Sequence, residues 1–376
     1  MTPRTKRSGA EEALGQLVIL GFDGTEMTAQ LSSLLTRLQP AGVILFARNI
    51  RSPQQTWHLL RDCQHRAATR LFTCVDLEGG SVDRFREALG PTPSAADVFA
   101  TANRRLFRKH GQITGENCRA LGFNVDFAPA LDLAFEASRS VMSTRAVSAD
   151  PVETVGYCRE FLAGLRKAGV LGCGKHFPGL GEGKLDSHRE LPVIDKPLKR
   201  LWAEDLVPYR MLHRQMPFVM VSHAAYPRVT GDKTPASLSK KWIRDILRKR
   251  IGYNGLIVSD DLEMGAVLSA ASIGEAAVEF VRAGGDLCLI CHGENHIAQA
   301  HEALVKATGR DRRFARRVAE AGRRVLAFKK KLAADLRIAR MPSPAAVEKL
   351  SRQLWEFGEE VRLAPLARTE DARPPA

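Results

Sequence analysis

Val170-Leu171-Gly172-Cys173-Gly174-Lys175-His176-Phe177-Pro178-Gly179-Leu180-Gly181 begins as an apolar, strand-like run and ends in two basic residues and a glycine-rich loop. The segment before it, Pro151–Lys167, carries apolar residues at helical spacing. An amphipathic helix feeding a short apolar strand is the unit of a parallel sheet. Moving outward, further runs read the same way: Leu17–Phe22, Gly42–Phe46, Leu71–Asp76, Phe123–Phe127, Phe218–Ser222, Gly255–Ser259 and Asp286–Ile290. With Val170–Lys175 these make eight. Helical patterns such as Gln54–Ala68, Arg104–Leu121 and Ser239–Arg250 lie between them. Eight βα units predict an α/β protein built as a single TIM-type (β/α)8 barrel. An open doubly wound sheet is the structural alternative, but no G-x-G-x-x-G fingerprint follows an early strand.

Polar residues gather where the runs end: Arg48-Asn49, Asp76-Leu77-Glu78-Gly79-Gly80, Asp126 and Asp132, Lys175-His176, His223, and Asp260-Asp261. In a (β/α)8 barrel the carboxyl ends of all strands open on one face, where active sites are built. Residues from Arg48 to Asp261 are therefore expected in one pocket. The barrel is assigned to residues 1–340. After the break at Met341-Pro342-Ser343-Pro344, one helix (Ala345–Val361) and a Pro/Arg/Ala-rich frayed end form a short C-terminal helical appendage over 341–376.

At 376 residues with 44% hydrophobic and 26% charged residues, the chain can bury a core without disulfide or metal staples. Its seven cysteines are odd in number and scattered, and Cys288-x-x-Cys291 sits in an apolar run, so buried thiols are expected rather than redox pairs. No apolar stretch follows the basic Met1–Glu12 segment, and no run of eighteen apolar residues occurs. The expected location is the cytoplasm, with no membrane partner. Net charge is +14, with much of the excess between Arg310 and Lys331. There Phe314, Val318, Ala321, Val325 and Phe328 recur at helical spacing, which places the basic residues on a solvated opposite face. No aromatic interleaving points to nucleic acid.

Two segments carry chemistry. In the first, the strand-end Lys175 and His176 can donate hydrogen bonds to sugar hydroxyls. The glycine-rich loop beyond them brings Asp186-Ser187-His188, where a carboxylate near an imidazole suits an acid/base pair. Asp186 capping a turn is the plainer alternative. In the second, Val258-Ser259-Asp260-Asp261-Leu262-Glu263-Met264, a carboxylate at a strand end can attack an anomeric carbon. Asp260 is assigned to chemistry and Asp261 to capping or support.

With these motifs together, the chain resembles the bacterial β-N-acetylhexosaminidases of glycoside hydrolase family 3, the short single-domain type that acts in peptidoglycan recycling. The likeness spans roughly Leu17 to Leu332. It rests on Gly42-Val43-Ile44-Leu45-Phe46-Ala47-Arg48-Asn49, Asp76-Leu77-Glu78-Gly79-Gly80, Phe127-Ala128-Pro129, Lys175-His176-Phe177-Pro178-Gly179, Asp186-Ser187-His188 and Ser259-Asp260-Asp261-Leu262. The resemblance implies that Asp260 is the nucleophile and His188 the general acid/base, with Asp186 as its partner. It also implies that Asp76, Arg84, Arg145, Lys175 and His176 bind the hydroxyls of N-acetylglucosamine. The implied activity is retaining removal of terminal β-linked N-acetylglucosamine from muropeptides, without cofactor or metal, by a monomer. The chain departs from the family pattern at Leu180 (usually His), Glu182-Gly183 (usually Asp-Thr) and Ser81 (commonly Arg). A glycine usual before the sugar-binding arginine region is also replaced, near Ser143.

Other readings stay open. They are a different family 3 β-glycosidase, against which the short chain and the Asp186-x-His188 pair weigh, an N-acetylglucosaminide phosphorylase, since a histidine acid/base does not repel phosphate, and a non-catalytic sugar-binding barrel. A barrel metal site made from His176, His188 and His223 with Asp76 or Asp260 lacks a recognised ligand spacing.

Overall fold

The computed structural model describes residues 13–183 and 190–371. Eight parallel strands close into a barrel: β1 (Val18–Leu20), β2 (Gly42–Ile44), β3 (Phe72–Val75), β4 (Val125–Asp126), β5 (Leu171–Phe177), β6 (Phe218–Val221), β7 (Leu256–Asp261) and β8 (Leu287–Ile290). Each pairs with its successor in sequence, and β8 returns to β1 through Val18↔Cys288 and Leu20↔Ile290. All eight predicted runs become barrel strands.

The bounds shift at some strands. Just before β4, Asn124 bonds through its backbone to both flanking strands, its N–H donating to the Thr73 carbonyl and its carbonyl accepting from the Leu171 amide, each at 3.0 Å, and its side chain braces β3 as well. Its Oδ1 accepts from the Thr73 amide at 2.9 Å and its Nδ2 donates to the Leu71 carbonyl at 3.0 Å. β5 runs two residues further than predicted, to a Phe177↔Val221 pairing, so that Lys175 and His176 lie within the strand.

The helices form where caps and periodicity agree. Pro151–Lys167 starts at Asp150, whose carboxylate accepts from the Val152 and Glu153 amides, with proline at the first helical position. Ile273–Ala283 begins with a Ser272/Glu275 capping box.

The core has two parts. Between strands and helices lies one apolar layer, and the barrel interior holds the other, with Ile44, Phe72, Phe127, Phe218, Val258 and Leu289 among its members. Val325, Phe328, Leu332 and Leu336 join the interior group. The helix Arg312–Lys331 and the turn after it therefore plug the floor of the barrel.

The expected solvated basic face holds for Arg312, Arg313, Arg316, Arg323, Lys330 and Lys331, which are exposed, but not for three basic residues beside the apolar stripe. Arg317 and Arg324 instead turn inward to Asp286, which is fully buried at the start of β8 and also pairs with Arg248. Lys329 is buried too, donating to Gln16 Oε1 at 2.8 Å and Thr69 Oγ1 at 3.2 Å. Positions 317, 324 and 329 flank the apolar stripe, so packing the stripe into the floor carries them in with it.

The C-terminal helix is longer than expected, Pro344–Asp371. It packs on Arg104–Leu121, with Phe357 against His110, and also buries Leu354 and Val361. All seven cysteines are buried and free. Among the described residues, no helix is long and apolar enough to cross a membrane.

Candidate active site

At the carboxyl ends of the strands, side chains far apart in sequence enclose a pocket of about 170 Å3. Asp76, Arg84, Arg145, Lys175, His176 and Asp260, all expected site residues, line it. Asp186 and His188 lie outside the described residues; Leu180, upstream of them, is part of the pocket wall.

β3 delivers the first acidic group. Just past its end, Leu77–Gly79 folds back on Val82–Asp83 as a small hairpin. The turn needs glycine. Gly79 and Gly80 have φ of +84° and +60°, and a Cβ on Gly79 would lie 2.1 Å from the Pro93 carbonyl oxygen. The hairpin places Asp76 and Glu78 in the pocket together with Val82 and Arg84.

β5 delivers the donors. Lys175 Nζ lies 2.7 Å from Asp76 Oδ1 and 2.6 Å from Glu78 Oε1. Arg145 grips Glu78 with both arms, Nε to Oε2 and Nη2 to Oε1, each at 2.8 Å. Its Nη2 also faces His176 Nε2 at 3.1 Å. A guanidinium can only donate, so that imidazole nitrogen accepts, and the proton sits on Nδ1, which donates to Asp132 Oδ2 at 2.7 Å. Asp132 is fully buried and also accepts from the backbone amides of His176 and Leu180. Burial works against a charge on Glu78, but Arg145 and Lys175 outweigh it and hold the carboxyl well below the usual range.

β7 delivers Asp260 and Asp261, and their environments separate them. Burial pushes the Asp260 pKa up, yet His176, His223, the Asp261 amide and Lys175 more than offset it, so the net shift is downward. That amide donates to Asp260 Oδ1 at 2.9 Å. Asp261 moves the other way, up to about 7, through burial and the neighbouring Glu263 and Asp260 carboxylates. Asp261 Oδ1 accepts from the Glu263 amide at 3.1 Å, and its carbonyl meets His223 Nε2 at 2.9 Å. With Nδ1 on Ser237 at 2.7 Å, His223 supports the end of β7 and does not line the pocket.

Several contributors escaped the sequence reading. Glu78 was noted only as part of a motif, although Asp76 and Glu78, two apart in an extended segment, share a face. Phe46 and His292 stack at 5.6 Å on one wall, with Arg48 and Arg84 against the same Phe46 ring at 4.7 and 5.6 Å. No local pattern predicts that cluster, because it joins β2, the hairpin and the loop after β8. Arg84 Nε is buried with no partner among the described residues. Leu180 faces the pocket, and Glu182 pairs with Lys196 at 3.4 Å and Arg200 at 3.1 Å. A larger groove of about 680 Å3 runs between residues 89–100 and the C-terminal helix. Its carboxylates are paired, Asp97 with Ser94 and Glu359 with Arg362, and none stands at the carboxyl end of a barrel strand.

Comparison with known proteins bears on this arrangement. A family model described as the N-terminal domain of glycosyl hydrolase family 3 matches residues 10–328. A protein named Beta-hexosaminidase from Idiomarina loihiensis is 36% identical, over 78% of this chain and 89% of its own length. Another of that name from Thiobacillus denitrificans is 37% identical, over 78% and 82%. Among solved structures, a family 3 β-N-acetylglucosaminidase from Paenibacillus sp. str. FPU-7 superposes with a TM-score of 0.85 at 32% identity. The match covers 92% of this chain and 68% of that one.

Proposed function

The chain belongs to glycosyl hydrolase family 3 and is a glycoside hydrolase, and from that premise we propose that it removes terminal β-linked N-acetylglucosamine with retention, using Asp260 as the nucleophile. One observation carries the assignment: Asp260 is the strand-end carboxylate whose surroundings keep it ionised, opposite a cluster of hydrogen-bonding groups suited to a sugar.

The chemistry has two steps. An Asp260 oxygen attacks the anomeric carbon as the bond to the leaving oxygen breaks, and a proton from His188 goes to that oxygen. Water then gives a proton back to His188 and adds to the anomeric carbon, releasing Asp260. In this reading Asp186 orients His188. Asp76, Lys175, Arg145, His176 and Arg84 meet the sugar hydroxyls. The names of the relatives favour the acetamido sugar. Within the same reading the natural substrate is a muropeptide, the enzyme is a monomer, and it works in the cytoplasm, where seven free thiols stay reduced.

Release of aryl alcohol from an aryl N-acetyl-β-glucosaminide, run beside the matching β-glucoside, tests the assignment. A strong preference for the acetamido sugar is expected, unchanged by added phosphate, with a β-anomer as first product. Equal rates on both sugars, or a phosphate requirement, would overturn it. Asp260→Asn should lower kcat at least about a thousandfold while leaving the fold intact, as expected for loss of a covalent nucleophile.

A further inference from the structure

Glu78 is only 3% exposed, and both of its oxygens are occupied: Oε1 by Lys175 and Arg145, Oε2 by Arg145. It therefore has little left to offer a ligand. Its neighbours are differently placed. Asp76 is 17% exposed, and Arg145 is 15% exposed. Lys175 stands between two carboxylates at nearly equal distances, 2.7 Å to Asp76 and 2.6 Å to Glu78.

We propose that Glu78 is a positioning residue that sets the sugar selectivity of the pocket, by sharing Lys175 with Asp76 and by clamping Arg145 in a fixed fork. The physical argument concerns charge sharing. A lysine shared with Glu78 leaves Asp76 with acceptor capacity to spare. Remove the charge at residue 78 and the whole attraction of Lys175 falls on Asp76, which is then drawn away from a hydroxyl. Arg145 simultaneously loses the bidentate partner that fixes its plane, and with it the contact to His176 Nε2. Glu78 is thus the buried counter-charge that keeps Asp76, Lys175 and Arg145 aimed at the ligand.

This inference rests on the reading above that Asp76, Lys175 and Arg145 meet sugar hydroxyls. The test is Glu78→Gln, close in shape but uncharged, assayed on the aryl N-acetyl-β-glucosaminide and on analogues lacking the 3-, 4- or 6-hydroxyl in turn. The wild type should lose roughly ten- to hundredfold in kcat/KM for at least one deoxy analogue, the scale of a hydrogen bond to a charged group. In Glu78→Gln, KM on the complete sugar should rise more than kcat falls, and the deoxy penalty should shrink to less than about threefold. A purely structural role would lower all substrates alike and keep the penalty, and that result overturns the proposal. Should the glutamine variant fail to fold, Glu78→Asp keeps the charge but retracts it by one methylene. A penalty reduced several-fold supports the proposal, and a wild-type penalty overturns it. Asp76→Asn separates the two levels of inference. If it retains every deoxy penalty, the site reading fails; if it loses one that Glu78→Gln keeps, only the role of Glu78 fails.

Discussion

Ser143 has a φ of +35°, a backbone region that side chains other than glycine rarely occupy. It stands just before the Thr144-Arg145 segment, near the position where the family resemblance implies a glycine, and a positive φ is what a glycine would accommodate there. Arg145 N donates to the Met142 carbonyl at 2.6 Å, and this tight turn aims the guanidinium at Glu78. Holding serine there costs on the order of 1–3 kcal/mol. Ser143→Gly should therefore stabilise the protein by about 1 kcal/mol, less than the strain because glycine also loosens the unfolded chain. Urea denaturation measures it, and a destabilised variant would show that the serine side chain contributes something the backbone argument omits. The motifs around Asp76, Lys175-His176 and Asp260 were legible because each ends an apolar run. The Ser143 turn was legible only as a departure from a pattern, since a positive φ has no signature in a serine.

Helices show the same division more sharply. Periodicity located the buried stripe of Arg312–Lys331, and Phe314, Val318, Ala321 and Val325 are all buried. It could not say which flanking charges would be drawn in, because that depends on a partner such as Asp286 contributed by another strand. The C-terminal helix lies beyond the matched family region, yet Phe357 on it is fully buried, with its ring 5.7 Å from His110. Burial pushes His110 down to about 3, so it packs there as a neutral ring, its Nδ1 on the Tyr157 hydroxyl at 2.8 Å. Phe357→Ala should cost about 3–5 kcal/mol, the usual range for a truncated core aromatic. Activity of the folded variant should stay intact, since this helix does not line the pocket. Loss of less than about 1 kcal/mol by chemical denaturation would mean that the helix is a loosely held appendage.

On the scale of the whole molecule, the barrel keeps its chemistry at one end and its plug at the other, and the plug carries a titrating group. Burial beneath the strands lowers Lys329 from its ordinary 10.5 to about 7, with Nζ 5.1 Å from the centre of the Phe72 ring. Between those two values the unfolded chain binds a proton that the native chain does not. Stability from this group therefore rises with pH across that window, while below about pH 7 the cost of a buried charge is fully present. Lys329→Met keeps most of the volume and removes the charge. The variant should be more stable than the parent by a few kcal/mol at pH 6 and should lack the parent's rise between pH 7 and 10. Denaturation curves across that range decide it: equal slopes in both proteins would show that Lys329 titrates alike in the native and unfolded chains. Asp261, raised to about 7, works in the opposite sense, its burial cost growing as pH rises from about 4 to 7, so the two groups act on separate sides of neutrality.

What this sequence determined by itself was the alternation of eight apolar strands with amphipathic helices, and the polar residues at the strand ends that a closed barrel must bring together. Those features are local: a strand or a helical face is written in consecutive residues, and closure follows from their number and order. The tertiary structure alone decided how the charges are shared. Glu78 between Lys175 and Arg145, Asp286 among three arginines, and Lys329 against Gln16 each join segments remote in sequence. A charge is tolerated in an interior only where a partner or hydrogen-bonding group meets it at contact distance, and contact distance between remote segments is a property of the folded chain.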